Sequence, residues 1–213
     1  MKVFLTGGSG YVGRPTVRAL RRHGHEVGAL ARSDASARVL TSLGASPVRG
    51  DLTATDVLRE AAAAADGVIH LGQHYGDDTA EVDLAAAEAL QSGLGGGLIE
   101  AFFGAPVPLI GNGANRWALV HAADLAELYV LALHAPPKSV YAGVSGQNVR
   151  LADIVSALAA GGPIAHLTLA EAVARMGPIA EAFALDQRLT PARARRELGW
   201  EPRHLDALAE LRG

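Results

Sequence analysis

Residues Val3-Phe4-Leu5-Thr6 form a short apolar run that opens into Gly7-Gly8-Ser9-Gly10-Tyr11-Val12-Gly13, and an amphipathic segment continues to Arg22. A strand, a turn with glycines spaced G-x-x-G-x-x-G, and a helix leave such a chain few folding options. The first glycine permits the tight turn, the second admits a ligand to the backbone, and the third lets helix and strand approach closely. N–H groups left unpaired at the helix start then face an anion, and the pyrophosphate of a dinucleotide fits that seat. A purely structural β-to-α turn is the competing reading of the same glycines.

The pattern that follows supports the first reading. Strand signals at Lys2–Thr6, Glu26–Leu30, Ser46–Arg49 and Gly67–Leu71 alternate with helical apolar spacing over Tyr11–Arg22, Ala35–Leu43 and Asp56–Ala64. Ser33 or Asp34, and Thr53, stand where helix caps belong. This alternation predicts an α/β fold with a Rossmann-like parallel sheet. Another helix is expected over Leu84–Gln91, after which Ser92–Gly97 forms a glycine-rich junction.

Beyond the junction the spacing predicts a helix over Leu98–Phe103, a strand at Pro106–Ile110, a turn at Gly111–Asn115 and a strand at Trp117–Val120. A long helix from near Asp124 to His134 comes next. Strands near Ser139–Ala142 and at Asn148–Val149, and helices at Leu151–Ala160, Leu169–Arg175 and Pro191–Leu198, complete a small C-terminal α+β lobe. The expected organisation is a dinucleotide-binding core at 1–92, then residual sheet elements and a small substrate-side lobe at 93–213, in one compact body. The alanine runs Ala61–Ala65 and Ala85–Ala89 suit close helix packing and call for no functional explanation.

Composition narrows the function classes. At 213 residues, 49% hydrophobic and 19% charged, the chain is long enough for one substantial core. A net charge of -3, with arginines scattered among acids, argues against a nucleic-acid partner. Cysteine is absent, which excludes disulfides, thiolate metal sites and cysteine nucleophiles. No charged leader precedes an apolar run, and no uninterrupted apolar stretch approaches ~18 residues, so the expectation is a cytoplasmic protein without a membrane partner.

The chain resembles the extended short-chain dehydrogenase/reductase family, the NAD(P)-dependent epimerase/dehydratase group. The resemblance is carried by Thr6-Gly7-Gly8-Ser9-Gly10-Tyr11-Val12-Gly13, Gly50-Asp51-Leu52 and Val68-Ile69-His70-Leu71-Gly72. It resumes at Gly111-Asn112-Gly113, Arg116-Trp117, Val120-His121, Asp124-Leu125-Ala126 and Val140-Tyr141-Ala142, and ends in Leu189-Thr190-Pro191 through Gly199-Trp200-Glu201-Pro202. It implies that Gly7, Gly10, Tyr11, Val12 and Gly13 hold the pyrophosphate, that Asp51 and Leu52 line the adenine pocket, and that Leu71 borders the cofactor. Asp51 lies just past a strand's C-terminal end, where open α/β sheets bind ligands; a turn or capping aspartate is the alternative. After the second strand an NAD-selective site carries an acid for the ribose 2′-hydroxyl, whereas this chain reads Arg32-Ser33. A guanidinium suits a 2′-phosphate, which points to NADP, with NAD as the alternative. The neighbouring Asp34, and the solvated role common to helix-start arginines, weigh against it.

In that family a tyrosine and a lysine four residues on carry the proton while the nicotinamide moves hydride. Here the tyrosines are Tyr11, Tyr75, Tyr129 and Tyr141, the lysines Lys2 and Lys138, and none share that spacing. The family's two further strands and catalytic helix between the counterparts of Leu84–Gln91 and Leu98–Phe103 have no room in Ser92–Gly97. Their loss would leave the fourth strand as a bare edge, to be covered by a strand after Gly97, such as Val107–Ile110, or by a second subunit. The family often pairs through the helix corresponding to Leu84–Gln91, which marks it as a homodimer face.

Substitute acid–base groups follow the fourth strand: His74 or Tyr75, with Asp77 or Asp78 orienting the imidazole. Polar surface is the plainer reading of this loop, and a metal site from His70, His74, Asp77 and Asp78 is weaker still because the spacing gives no convergent set. By resemblance Arg116, with Asn112 and Asn115 beside it, grips an anionic group of a small-molecule substrate; stacking on Trp117 is the equal alternative. His121 precedes a helix that Asp124 is placed to cap. The class implied is redox or epimerisation of a small carbonyl, hydroxyl or sugar-type molecule. The alternative is a non-catalytic dinucleotide-binding module, and a third reading is a chain whose opened pocket no longer holds cofactor.

Overall fold

The computed structural model describes residues 1–75, 78–94, 98–100, 108–159 and 161–212. The chain divides into two units, Met1–Phe102 with Leu125–Val140, and Phe103–Asp124 with Tyr141–Gly213.

In the first unit β1 (Lys2–Thr6), α1 (Gly13–Arg22), β2 (Glu26–Ala31), α2 (Asp34–Ser42), β3 (Ser46–Arg49), α3 (Thr55–Ala63), β4 (Gly67–His70), α4 (Thr79–Leu94) and β5 (Leu98–Glu100) follow in order. The five strands form one parallel sheet ordered β3-β2-β1-β4-β5. This is the Rossmann-like α/β architecture that the alternating periods predict. Pleating sends alternate residues to opposite faces. Phe4, Leu30 and Val68 meet Leu58 and Ala62 of α3 and Ala86, Ala89 and Leu90 of α4 in one buried cluster. On the other face Leu40 of α2 converges with Leu5 and Ala29 around Gly8. The alanine runs supply three of the cluster's small side chains, and a Cβ built at Gly93 would lie 2.3 Å from the Arg59 carbonyl oxygen, so α3 and α4 pack closely there.

Several local expectations are corrected. Residues 98–100 form β5, a strand pairing Val68 with Leu98 and Ile69 with Ile99, where the spacing predicts a helix over Leu98–Phe103; residues 101–103 of that helix lie outside the described residues. Three residues, Leu98-Ile99-Glu100, carry no readable period, and the open edge of β4 decides the matter. The edge is thus covered by a strand after Gly97, but by Leu98–Glu100 in place of Val107–Ile110. Thr53 does not cap α3: its hydroxyl donates to Asp51, and the N-cap is Ala54 without a side-chain bond. Ser33 does cap α2, in a reciprocal box with Ser36. α4 begins at Thr79 and runs to Leu94, longer than Leu84–Gln91 at both ends.

α5 (Ala122–Ala132) comes next in the chain, and its residues from Leu125 belong to the first unit. The second unit contains β6 (Leu109–Ile110), β7 (Arg116–Ala118), β8 (Asn148–Arg150), α6 (Leu151–Ala159), β9 (His166–Leu167), α7 (Leu169–Met176), α8 (Ile179–Ala184), α9 (Ala192–Leu198) and α10 (Ala207–Arg212). β6 pairs with β9 in parallel and β7 with β8 antiparallel, so this part is α+β as expected. The strand predicted near Ser139–Ala142 is irregular chain, entered through Pro136-Pro137 and through Lys138 at φ 64°. β9, α8 and α10 escape the sequence reading, being too short to show a period.

Candidate functional site

The end of β1 carries the glycine loop, and each glycine has a separate task. Gly7 adopts φ +69°, and a Cβ there would lie 2.5 Å from the Leu71 carbonyl oxygen. At Gly13 a Cβ would lie 2.1 Å from the Gly7 carbonyl oxygen, so this residue lets α1 rest against the loop. Around Gly10 only the Gly7 oxygen comes within reach, at 3.2 Å, and the other side of the residue is open. The loop is pinned by Gly10 N–H donating to Gly7 O at 2.9 Å and by Arg14 Nε donating to Ser9 O at 2.7 Å. α1 has no side-chain cap. Among the described residues the N–H groups of Tyr11, Val12 and Gly13 have no partner in the chain. Three free amides at the positive end of a ten-residue helix, beside an open glycine, fit a diphosphate. Tyr11 is exposed while Val12 is buried under the loop.

At the end of β2, Arg32 is exposed and has no ionic partner among the described residues. Asp34, the acid that would compete for it, is engaged by Arg49 from the end of β3. Ser33 accepts the Ser36 amide and exchanges a second bond with the Ser36 hydroxyl. Past β3, Asp51 accepts from the Thr53 amide at 2.9 Å and the Thr53 hydroxyl at 2.6 Å, and these bonds hold its carboxyl below the usual range. The turn role and the pocket position therefore coincide in one residue. Leu52 is buried in the core cluster, and Leu71 is buried at the end of β4.

The β4 end gathers the polar groups. The Thr6 hydroxyl accepts the Leu71 and Gly72 amides at 3.2 and 2.9 Å and lies 2.5 Å from His70 Nδ1. Burial lowers the His70 pKa, with Asp83 opposing. His74 N–H donates to Asp83 Oδ1 at 2.8 Å, and His74 Nε2 lies 2.9 Å from Asp78 Oδ1. The imidazole is thus oriented by Asp78, as the sequence suggests; Asp77 lies outside the described residues. His74 also stands close enough to Asp51 to favour its ionised form. Tyr75 is 80% exposed, and its hydroxyl has no partner among the described residues. No group of three or more potential metal ligands converges among the described residues.

The second unit holds the remaining candidates. Arg116 donates from its guanidinium to the Asn148 carbonyl at 2.8 Å, and its amide donates to Asp186 at 2.8 Å. Its guanidinium serves the β7–β8 pair, and the cation over a ring in this unit is Arg193, 5.2 Å from Tyr141. Asn112 closes its own turn onto the Ala114 amide, and Asn115 bridges the Phe183 and Leu185 carbonyls. Asp124 is no cap. The helix starts two residues earlier, His121 Nδ1 accepts the Ala123 amide, and Asp124 is buried, accepting from the Arg203 and His204 amides and from the His204 ring. Trp200 donates to the Asp124 carbonyl, and His204 stacks on His121 at 4.0 Å. Sequence reading had no signal for His204, and none for the bonds that make Thr6 a hub, because both depend on partners more than sixty residues away.

Comparison with known proteins agrees with this geometry. The sequence pattern of the NAD dependent epimerase/dehydratase family matches residues 3–92. An uncharacterised protein of Saccharomyces cerevisiae is 26% identical over 292 aligned positions, taking in 100% of this chain and 98% of that protein. Sterol-4-alpha-carboxylate 3-dehydrogenase, decarboxylating, of Dictyostelium discoideum is 46% identical over 68 residues, 32% of this chain and 21% of that protein. UDP-glucose 4-epimerase from Bifidobacterium longum, solved with NAD+ and UDP, superposes with a TM-score of 0.71 at 14% identity, covering 100% of this chain and 97% of that one. The likeness at that identity is one of fold. Residues 3–92, which carry the free amides at the start of α1, are the segment in which this chain matches the NAD dependent epimerase/dehydratase family.

Proposed function

We propose that the chain binds a nicotinamide dinucleotide, NADP in preference to NAD, and that its reaction class is redox or epimerisation of a small carbonyl, hydroxyl or sugar-type substrate. The observation that carries the binding is the uncapped start of α1, whose Tyr11, Val12 and Gly13 amides have no partner among the described residues and stand beside open Gly10. Arg32, freed of Asp34 by Arg49, supports the choice of NADP, because a 2′-phosphate would find an uncompensated guanidinium and the Ser33 hydroxyl at the end of β2. Asp51 and Leu52 take the adenine side, and Leu71 borders the pocket.

When bound, such a cofactor supplies the hydride. The chain's own contribution is a proton. His74 gives its Nε2 to Asp78, which leaves Nδ1 as the atom that holds or releases a proton toward a substrate oxygen. Tyr75, exposed and unpartnered among the described residues, is the weaker candidate for that role. Arg116, with Asn112 near it in sequence, is the proposed grip on an anionic substrate group, through the guanidinium nitrogens that Asn148 does not use.

A second reading, a dinucleotide-binding module without turnover, is favoured by one observation: no tyrosine and lysine stand four residues apart anywhere in the sequence. The alignment with the yeast relative spans 292 positions against the 213 residues of this chain, which supports a central block having been lost. Leu84, 61% exposed on α4, supports pairing of two copies through 84–91. Among the described residues no helix is long and apolar enough to cross a membrane. Isothermal titration with NADPH, NADH, NADP and NAD, followed by turnover assays on carbonyl and sugar-nucleotide compounds, tests both readings. Tight NADPH binding with turnover supports the enzyme, binding without turnover supports the module, and no binding removes the proposal.

A further inference from the structure

The Thr6 hydroxyl sits where β1 enters the glycine loop, and its hydrogen bonds favour one placement of protons. A hydroxyl has one hydrogen and two acceptor lone pairs. The Leu71 and Gly72 amides only donate, and both reach Thr6 Oγ1, the Leu71 amide sharing its hydrogen with the Thr6 carbonyl oxygen at 3.3 Å. Both lone pairs are therefore taken, and the hydroxyl hydrogen goes to His70 Nδ1, 2.5 Å away. His70 is then the neutral tautomer that carries its proton on Nε2. A proton added at Nδ1 would place two hydrogens between the ring and Oγ1, unless the hydroxyl turns and gives up one of the two amides.

That exchange reaches the cofactor seat because the seam has no slack. A Cβ at Gly7 would lie 2.5 Å from the Leu71 carbonyl oxygen, and one at Gly72 would lie 3.0 Å from Thr6 Oγ1. The glycine loop and the β4 end therefore move together. We infer that His70 is a positioning residue of the dinucleotide seat, holding the Gly7 loop against the β4 end when neutral and releasing it when protonated. The inference rests on the dinucleotide reading for its ligand and on the Thr6 geometry for its mechanism. Burial of the ring opposes protonation, and Asp83 of α4 favours it. The loop after β4 adds His74, whose amide donates to the same Asp83 and whose ring pairs with Asp78.

The test uses the full chain labelled with 15N. Long-range ring correlations, assigned with His70→Asn, are expected to show Nε2–H at neutral pH, and the Leu71 and Gly72 amides are expected to exchange faster as His70 takes its proton. The NADPH dissociation constant should rise on acidification, approaching about tenfold per pH unit once His70 titrates. Because an asparagine oxygen accepts the Thr6 hydroxyl without titrating, His70→Asn should flatten that slope, whatever its affinity at neutral pH. Thr6→Ser should keep the slope and Thr6→Val should lose it. A proton on Nδ1 at neutral pH, amide exchange indifferent to the His70 titration, or an unchanged slope in His70→Asn each overturns the inference. If wild-type protein binds no dinucleotide at any pH, the dinucleotide reading falls, and ring tautomer and amide exchange still decide the clamp. Should His70→Asn fail to fold, the wild-type titration and Thr6→Ser carry the test.

Discussion

A Cβ built at Gly13 lands 2.1 Å from backbone, whereas one at Gly10 meets a single oxygen at 3.2 Å, so two glycines three residues apart fail in different ways. Gly10→Val is expected to weaken dinucleotide binding by at least about a hundredfold with the melting temperature nearly unchanged, because its side chain enters the space of the pyrophosphate. Gly13→Ala is expected to destabilise the fold by about 3 kcal/mol, since backbone must shift to admit the methyl. Titration calorimetry and thermal melts of the two variants separate these outcomes; a Gly10→Val protein that binds as wild type would falsify the seat. Arg32→Ala is expected to weaken NADPH about tenfold to a hundredfold more than NADH, the worth of hydrogen bonds to a charged group. Equal losses for the two cofactors would show that this guanidinium does not read a 2′-phosphate. Tyr129 presents the opposite case, a buried hydroxyl with no partner among the described residues, whose pKa burial pushes up. Tyr129→Phe removes an unsatisfied group without changing shape and is expected to raise stability by about 1 kcal/mol in urea unfolding.

Among the elements, regular periods are legible and short ones are not. β1, β3 and α6 stand where their patterns place them, because each has a clear alternation or apolar stripe and a glycine or proline near an end. Leu98–Glu100 is the instructive failure: a three-residue stretch fits either state, and the open edge of β4 imposes the strand. Caps divide in the same manner. Ser33 faces no local rival and caps α2, whereas Thr53 is drawn into the turn of Asp51 two residues before it. At α5 the sequence assigns Asp124 to the helix start, yet its carboxylate is committed to the segment after Trp200. Asp124→Ala is therefore expected to destabilise the second unit by about 3 kcal/mol, well above a lost cap, by leaving the Arg203 and His204 amides unpaired. Hydrogen exchange confined to residues near 200–204 would report it, and a loss no larger than about 1 kcal/mol would restore the capping role.

For the molecule as a whole, two buried imidazoles set the response to acid. Desolvation lowers His25 first, with His134 and His23 adding to it, and desolvation lowers His70. A depressed histidine binds fewer protons folded than unfolded, so stability is complete above the ordinary value of 6.5 and falls as pH drops from there toward the folded value. Each group contributes up to about 1.4 kcal/mol per pH unit across that window. The lowered carboxyls of Asp51 and Glu127 act at more acid pH, below the usual carboxylate range. Urea unfolding at pH 7.5 and 5.5 is expected to show the loss, reduced in His25→Asn; a flat profile would contradict it. The sequence by itself determined the parallel sheet, the glycine spacing at the end of β1 and the lack of a tyrosine–lysine pair, because each is written in spacing over a few residues. Only the tertiary structure decided that Arg49 takes Asp34 from Arg32, that β5 covers β4, and that the Thr6 hydroxyl meets His70 and the amides at the end of β4. Those outcomes depend on which distant groups compete for the same hydrogen, charge or strand edge, and no local pattern records a competition between segments far apart in the chain.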